Sequence, residues 1–219
     1  ALAVIERMKH EFDENDMDMK FQANVTEGLI HKELGNTEES EKAINEAMAH
    51  FSKRPECISS NVAMDLASAC LAMGKKDEAD ELTKYLVRNH HEDETILDRA
   101  RELYNSAGLS DEGDTLIKTT TEEVININNQ GAALLKQGKV EESIEFFIKA
   151  ARGMPDNSIV NLNAAYSMIM QMQKTGKKKK YLPRTMKLLD HVHKIDPANK
   201  KYHTLLDMIQ KLSISKKAA

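Results

Sequence analysis

Tryptophan is absent from this 219-residue chain and aromatic residues make up only 5% of it, which excludes a core built on large rings. Apolar packing falls instead to aliphatic and small side chains and to twelve methionines. Prolines number four, and no stretch alternates β-branched and polar residues between turn dipeptides, so strand signals do not compete with helical ones. No apolar run approaches the roughly eighteen residues of a membrane span, and no signal-peptide pattern opens the chain. The two cysteines, Cys57 and Cys70, fall at a helix entrance and in a helix interior. They read as reduced, structural thiols and place the chain in the cytoplasm, away from membranes.

Catalytic patterns are missing as well. His90 and His91 are adjacent, and His191 and His193 lie two apart, so neither pair shares a helix face as metal ligands at i and i+4 would. No glycine cluster forms a phosphate-cradling loop. The carboxylate pairs Glu38-Glu39, Glu122-Glu123 and Glu141-Glu142 stand at helix starts, where the helix dipole accounts for them. The expectation is a protein that is not an enzyme and uses neither metal nor cofactor.

What is present is a repeated grammar. Over Val124 to Pro155, VININNQGAALLKQGKVEESIEFFIKAARGMP, Gly131 stands where two helices approach closely, and Lys136-Gln137-Gly138-Lys139 supplies a turn. Ser143, Phe147 and Ala150 then follow at i, i+4 and i+7 on one helix face, and Pro155 closes the unit. Small residue, Leu134, turn glycine, small residue, aromatic, alanine and proline at these offsets resemble a tetratricopeptide repeat. Ile127, where an aromatic is common, and Ser143, where alanine is usual, depart from the pattern without changing its packing logic. The resemblance implies an all-α fold, a right-handed α-α superhelix of about four to five helical hairpins with a carboxy-terminal capping helix.

Turn glycines recur at Gly35, Gly74, Gly108, Gly138 and Gly176, separated by 39, 34, 30 and 38 residues, against a repeat length of about 34. The frame gives Gly28, Ser40 and Ala47 around the first, with Asn36-Thr37-Glu38-Glu39 starting a helix, and Ala67 and Ala79 around the second. Around Gly108 it gives only Tyr104 and Gly113, and Ser110 to Thr121 runs on without a proline, so this helix is expected to fuse with the next. The last unit has Ala165, an extra helical turn before Gly176, and Pro197 at its end. The expected organisation is one solenoid over 1–219: the end of a truncated repeat at 1–16, repeats at 17–55, 56–92, 93–121, 122–156 and 157–198, and a capping helix with tail at 199–219. Ile5, Met8 and Phe12 give the first helix its apolar side, and a repeat cut in mid-unit predicts a further domain upstream of Ala1.

Charge is divided along the chain. Residues 1–173 carry 18 basic and 32 acidic side chains, whereas 174–219 carry 13 basic and 3 acidic. Lys177, Lys178, Lys179 and Lys180, placed in the turn of the last unit, are either a solvated loop or a docking patch for an acidic surface, including another copy of the chain. Nucleic acid or anionic lipid is the lesser alternative, and nucleic acid is a poorer fit because the long acidic segment repels phosphates and only Tyr181 adjoins the lysines.

In the resembled family the first helix of each unit lines a concave groove that binds a protein or peptide. The resemblance assigns Asn128, Asn129, Ala132, Leu135 and Lys136 to that groove, with Leu162, Asn163, Tyr166, Ile169 and Met170 in the next unit. Asn129 and Asn163 occupy equivalent places, and an asparagine amide can hold a peptide backbone as donor and acceptor, or bond within the scaffold instead. Met168, Ile169, Met170 and Met172 likewise read as core on both faces or as an adaptable groove or dimer surface.

The order Thr121-Glu122-Glu123-Val124-Ile125 into Asn128-Asn129-Gln130-Gly131, then Leu162-Asn163-Ala164-Ala165, a lengthened loop, and Asp196-Pro197 before Lys201-Tyr202 is similar to the carboxy-terminal half of bacterial response regulators. In those proteins a chemotaxis-type receiver domain precedes the repeats. The resemblance implies an output or partner-docking arm of two-component signalling, with the phosphorylated aspartate elsewhere. The other reading from the residues is a self-associating scaffold in which the basic end of one copy meets the acidic body of another.

Overall fold

All five turn glycines adopt positive φ, between 69° and 76°, and no non-glycine residue does so among the described residues. At four of them the residue after the glycine donates its N–H to the carbonyl five positions back: Asn36 to His31, Lys75 to Cys70, Leu109 to Tyr104 and Lys139 to Leu134, at 2.8–3.0 Å. That six-to-one bond ends a helix and satisfies a carbonyl left open at its terminus, and only glycine enters the left-handed region at little cost. Gly176 ends its helix more simply, by donating to the Met172 carbonyl at 3.0 Å.

The computed structural model describes residues 2–11, 17–55, 58–176 and 178–214. Every regular element among them is a helix: α1 (Leu2–Glu11), α2 (Met17–Glu33), α3 (Thr37–Lys53), α4 (Ser60–Ala72), α5 (Lys76–His90), α6 (Glu94–Ser106), α7 (Ser110–Lys136), α8 (Val140–Gly153), α9 (Ser158–Thr175), α10 (Lys178–Ile195) and α11 (Lys200–Ile214). The fold is an all-α, tetratricopeptide-like helical repeat. The chain divides into two units, Ala1–Thr120 and Thr121–Ala219. As expected from the missing proline, α7 is continuous through the 110s and 120s.

In unit 1, α2 pairs with α3 and α4 with α5, while α4 also meets α2 and α6. Phe21, Ile44, Leu66, Leu82, Leu86 and Tyr104 fill the core of this unit and are fully buried. The first hairpin closes because Gly28 has no side chain. A Cβ there would lie 2.7 Å from the Ile44 Cδ1. Ser40 donates to the Gly28 carbonyl at 2.7 Å, so the small residue of one helix binds the bare backbone of the other. Tyr104 takes the corresponding space in the third hairpin: it is buried against Gly113, whose added Cβ would lie 2.4 Å from the Tyr104 Cβ. Its hydroxyl donates to Asp80 Oδ1 at 2.6 Å, and Lys76 bonds the other carboxylate oxygen at 2.9 Å.

In unit 2 the same contact recurs with a larger partner. An added Cβ on Gly131 would meet the Phe147 ring at 2.3 Å, and Ser143 donates to the Gly131 carbonyl at 3.1 Å. α9 packs on α8, α10 and α11, with Met168, Ile169, Met172 and Leu189 fully buried. Pro155 and Pro197 stand just past the ends of α8 and α10. Asn199 starts α11 by accepting from the Lys201 and Tyr202 amides at 3.0 and 3.1 Å.

One local expectation is met and another is corrected. Asn36 directly precedes α3, so Asn36-Thr37-Glu38-Glu39 starts a helix as expected; the Asn36 side chain makes no cap bond, and its amide lies 3.2 Å from His31 Nδ1. Lys178, Lys179 and Lys180 form the first turn of α10 and not the preceding turn: Gly176 takes the left-handed conformation that ends α9, and lysine is a good helix former. Lys177 lies outside the described residues, as do Cys57 and Phe12, and the side chain of Met8 is not described. Ile5 is buried as expected.

Candidate functional site

The groove residues named from sequence divide into an open set and a buried set. Asn129 and Lys136 are exposed on α7, and Asn128, Ala132 and Leu135 are half-buried beside them. On α9, Asn163, Tyr166 and Met170 are half-buried, whereas Leu162 and Ile169 are 2% and 0% exposed. Those two belong to the core and back the face; they do not line it. The physical reason is that α8, α10 and α11 all pack on α9. Met168 and Met172 are core for the same reason.

A polar chain crosses this face. Asn163 donates its amide to the Asn128 side-chain oxygen, and Lys201 on α11 donates to the Asn163 side-chain oxygen. The asparagine at 163 is therefore bonded within the scaffold, and its sequence equivalent Asn129 is the one that faces solvent. Crowding around the Lys201 ammonium lowers its pKa from the ordinary lysine value through desolvation. Asn163 keeps one N–H and one lone pair for a ligand, and Asn129 keeps its full set. With Lys136 and Lys201, the face is rich in donors and suits a segment that offers carbonyl or carboxylate oxygens.

The basic patch is dispersed. Lys178 donates to the Leu212 carbonyl, Lys180 lies over the Tyr181 ring at 4.9 Å, and Lys179 is exposed. Bonding to Tyr181 raises the Lys180 pKa, with the charges of Glu141 and Glu145 adding to the effect.

A second face was missed by sequence reasoning. Between α4 and α6 of unit 1 lies a cleft of about 430 Å³. One wall is Met64, Asp65, Ser68, Leu71 and Ala72; the other is Arg99, Glu102, Leu103, Ser106 and Ala107. The first wall stands at the same offsets from Ala67 as Asn128, Asn129, Ala132, Leu135 and Lys136 do from Gly131. Extending the offsets to the Gly74 unit would have found this wall but not the other. Arg99 donates to Asn61 at 2.5 Å and lies 4.0 Å from Asp65, which ties the two walls together.

Several histidines have structural partners, whereas the buried His50 Nδ1 and Thr83 hydroxyl have no hydrogen-bond partner among the described residues. Ser60 and His90 are 2.9 Å apart where α4 begins and α5 ends, and His191 and Asp156 make the analogous contact at 2.9 Å. His193 stacks on Tyr202. No metal-binding cluster of histidine, cysteine and carboxylate side chains occurs among the described residues. Cys70 is fully buried, and burial pushes its thiol up to about 12. No described helix is long and apolar enough to cross a membrane.

Residues 21–49 match the tetratricopeptide repeat family model. The matched segment holds Gly28, Gly35, Ser40, Ile44 and Ala47, the residues whose geometry defines the first hairpin, and it supports the tetratricopeptide class for this chain. Repeats of this class generally mediate protein–protein interaction and are typically not enzymes. Comparison with curated proteins and with solved structures gives no match.

Proposed function

We propose that the chain is a non-enzymatic, cytoplasmic protein-docking module whose unit 2 face holds a partner segment by its backbone or carboxylate oxygens. The observation that carries this reading is the amide and ammonium series Asn128, Asn163 and Lys201, aligned across α7, α9 and α11 next to the open Asn129. Buried apolar residues fix this face from behind, so its donors are held in place before a partner arrives. In the receiver-linked arrangement that its motif order resembles, the module is the output arm and phosphorylation would act on the receiver domain of such a protein. The test is a quantitative comparison of proteins retained by the wild-type chain and by Asn129→Ala with Asn163→Ala. A partner lost specifically from the double variant, with helicity unchanged, supports the assignment; identical retention removes it.

The charge division favours a second reading, a self-association scaffold in which residues 174–219 meet the acidic part of another copy. Sedimentation at low and high salt separates the two. A monomer at every ionic strength eliminates the scaffold, whereas a dimer lost at high salt establishes it.

A further inference from the structure

We propose that the α4–α6 cleft of unit 1 is a second docking site, one that takes a short peptide segment pairing an apolar side chain with a lysine or arginine. The inference rests on the protein-recognition reading of the repeat but concerns a different unit and the opposite charge. Its floor is apolar: Met64 is buried, and Leu71 and Leu103 are half-buried. Its volume of about 430 Å³ falls within the ~300–1,000 Å³ of small-ligand sites, enough for one or two side chains of an extended segment.

The rim decides the charge. Arg99 donates to Asn61 and lies 4.0 Å from Asp65, so its cation is partly engaged inside the cleft. Glu102, Ser68 and Ser106 have no hydrogen-bond or ion-pair partner among the described residues. The cleft thus offers one uncommitted carboxylate, one carboxylate shared with Arg99 and two hydroxyls that can accept. Unit 1 as a whole carries 14 basic and 26 acidic residues, so its wider field also attracts cations. An apolar side chain on Leu71 and Leu103 with a cation at Glu102 satisfies both features; an acidic segment would face the uncommitted Glu102 and find the cleft's lining cation, Arg99, already shared with Asp65.

The test titrates the isotope-labelled full chain with three end-capped, glycine-flanked peptides and follows amide shifts. One peptide carries a leucine and a lysine, one a leucine and a glutamate, and one a lysine alone. The expected result is that the leucine–lysine peptide moves amides of α4 and α6 around Ser68, Glu102 and Ser106, and binds more tightly than either other peptide. Glu102→Gln is expected to weaken it about threefold, the scale of a single exposed ion pair, and Glu102→Lys to reverse the preference toward glutamate. Glu102 is exposed, so both variants should keep the wild-type circular dichroism. Equal binding of the glutamate peptide, or shifts confined to other helices, would overturn the proposal. A salt-sensitive dimer from which the peptide displaces a second copy would overturn the assignment to a foreign partner. The Asn129→Ala, Asn163→Ala chain is expected to titrate unchanged, so failure of the unit 2 reading is distinguishable from failure of this one.

Discussion

Units 1 and 2 share a backbone grammar and differ in surface chemistry. Gly28, Ser40 and Ile44 in the first hairpin and Gly131, Ser143 and Phe147 where α7 meets α8 make the same contact, with the serine hydroxyl on the glycine carbonyl each time. Unit 1 nevertheless carries 14 basic and 26 acidic residues, and unit 2 carries 17 basic and 9 acidic. At the position two residues before the close-approach residue, unit 1 has Thr26 and Asp65 and unit 2 has Asn129 and Asn163. The comparison teaches that the residues building a hairpin and those facing a ligand occupy different offsets, so one can drift while the other is held. Fold alone therefore does not transfer a ligand from one unit to the other.

The largest effects should come from the apolar side of the shared contact. Phe147→Ala removes a fully buried ring and is expected to cost about 3–5 kcal/mol, and Ile44→Ala about 2–5 kcal/mol, by denaturant unfolding. Equal losses for the two would mean that the aromatic adds nothing beyond an aliphatic there. Next come the glycines. Gly131→Ala meets a rigid ring at 2.3 Å, while Gly28→Ala meets the flexible end of Ile44 at 2.7 Å. Both should destabilise by about 1–3 kcal/mol, Gly131→Ala by more. The combination Gly131→Ala with Phe147→Leu should recover part of the loss, and strict additivity in that double-mutant cycle would break the proposed contact.

Smaller losses are expected where only a hydrogen bond is removed. Ser40→Ala and Ser143→Ala should each cost about 1 kcal/mol. Ser143 also lies 3.3 Å from the Ser167 hydroxyl, so its removal should be the more costly of the two. Tyr104→Phe leaves Asp80 with Lys76 alone and should cost about 1–2 kcal/mol.

Subtlest is the pH response of Cys70. Its folded pKa is raised to about 12 by burial, while an unfolded thiol ionises near 9. Stability contributed by the buried neutral thiol is present below pH 9 and is lost as pH rises from there toward 12. Cys70→Ala should flatten that part of the stability–pH curve, and alkylation of Cys70 at pH 8 should follow global unfolding.

Much of the fold was legible because the repeat writes its turns in glycine. All five positive-φ positions and the fused α7 could be read from Gly35, Gly74, Gly108, Gly138, Gly176 and the missing proline near Thr121. The site was less legible. The bonds from Asn128 to Asn163 and from Asn163 to Lys201 join residues 35 and 38 apart, and nothing local specifies which of two neighbouring asparagines turns inward. Burial of Leu162 and Ile169 depends on how many helices cover α9, which periodicity does not reveal. The α4–α6 cleft escaped because the Gly108 unit has Arg101 where the frame expects a small residue; Tyr104 against Gly113 does that packing instead.

The most direct test of the account is calorimetry of a recovered partner against the wild-type chain and Asn129→Ala with Asn163→Ala. The account predicts at least a tenfold loss of affinity in the double variant, about 1.4 kcal/mol, with the thermal transition retained. Unchanged affinity in a folded double variant would contradict it.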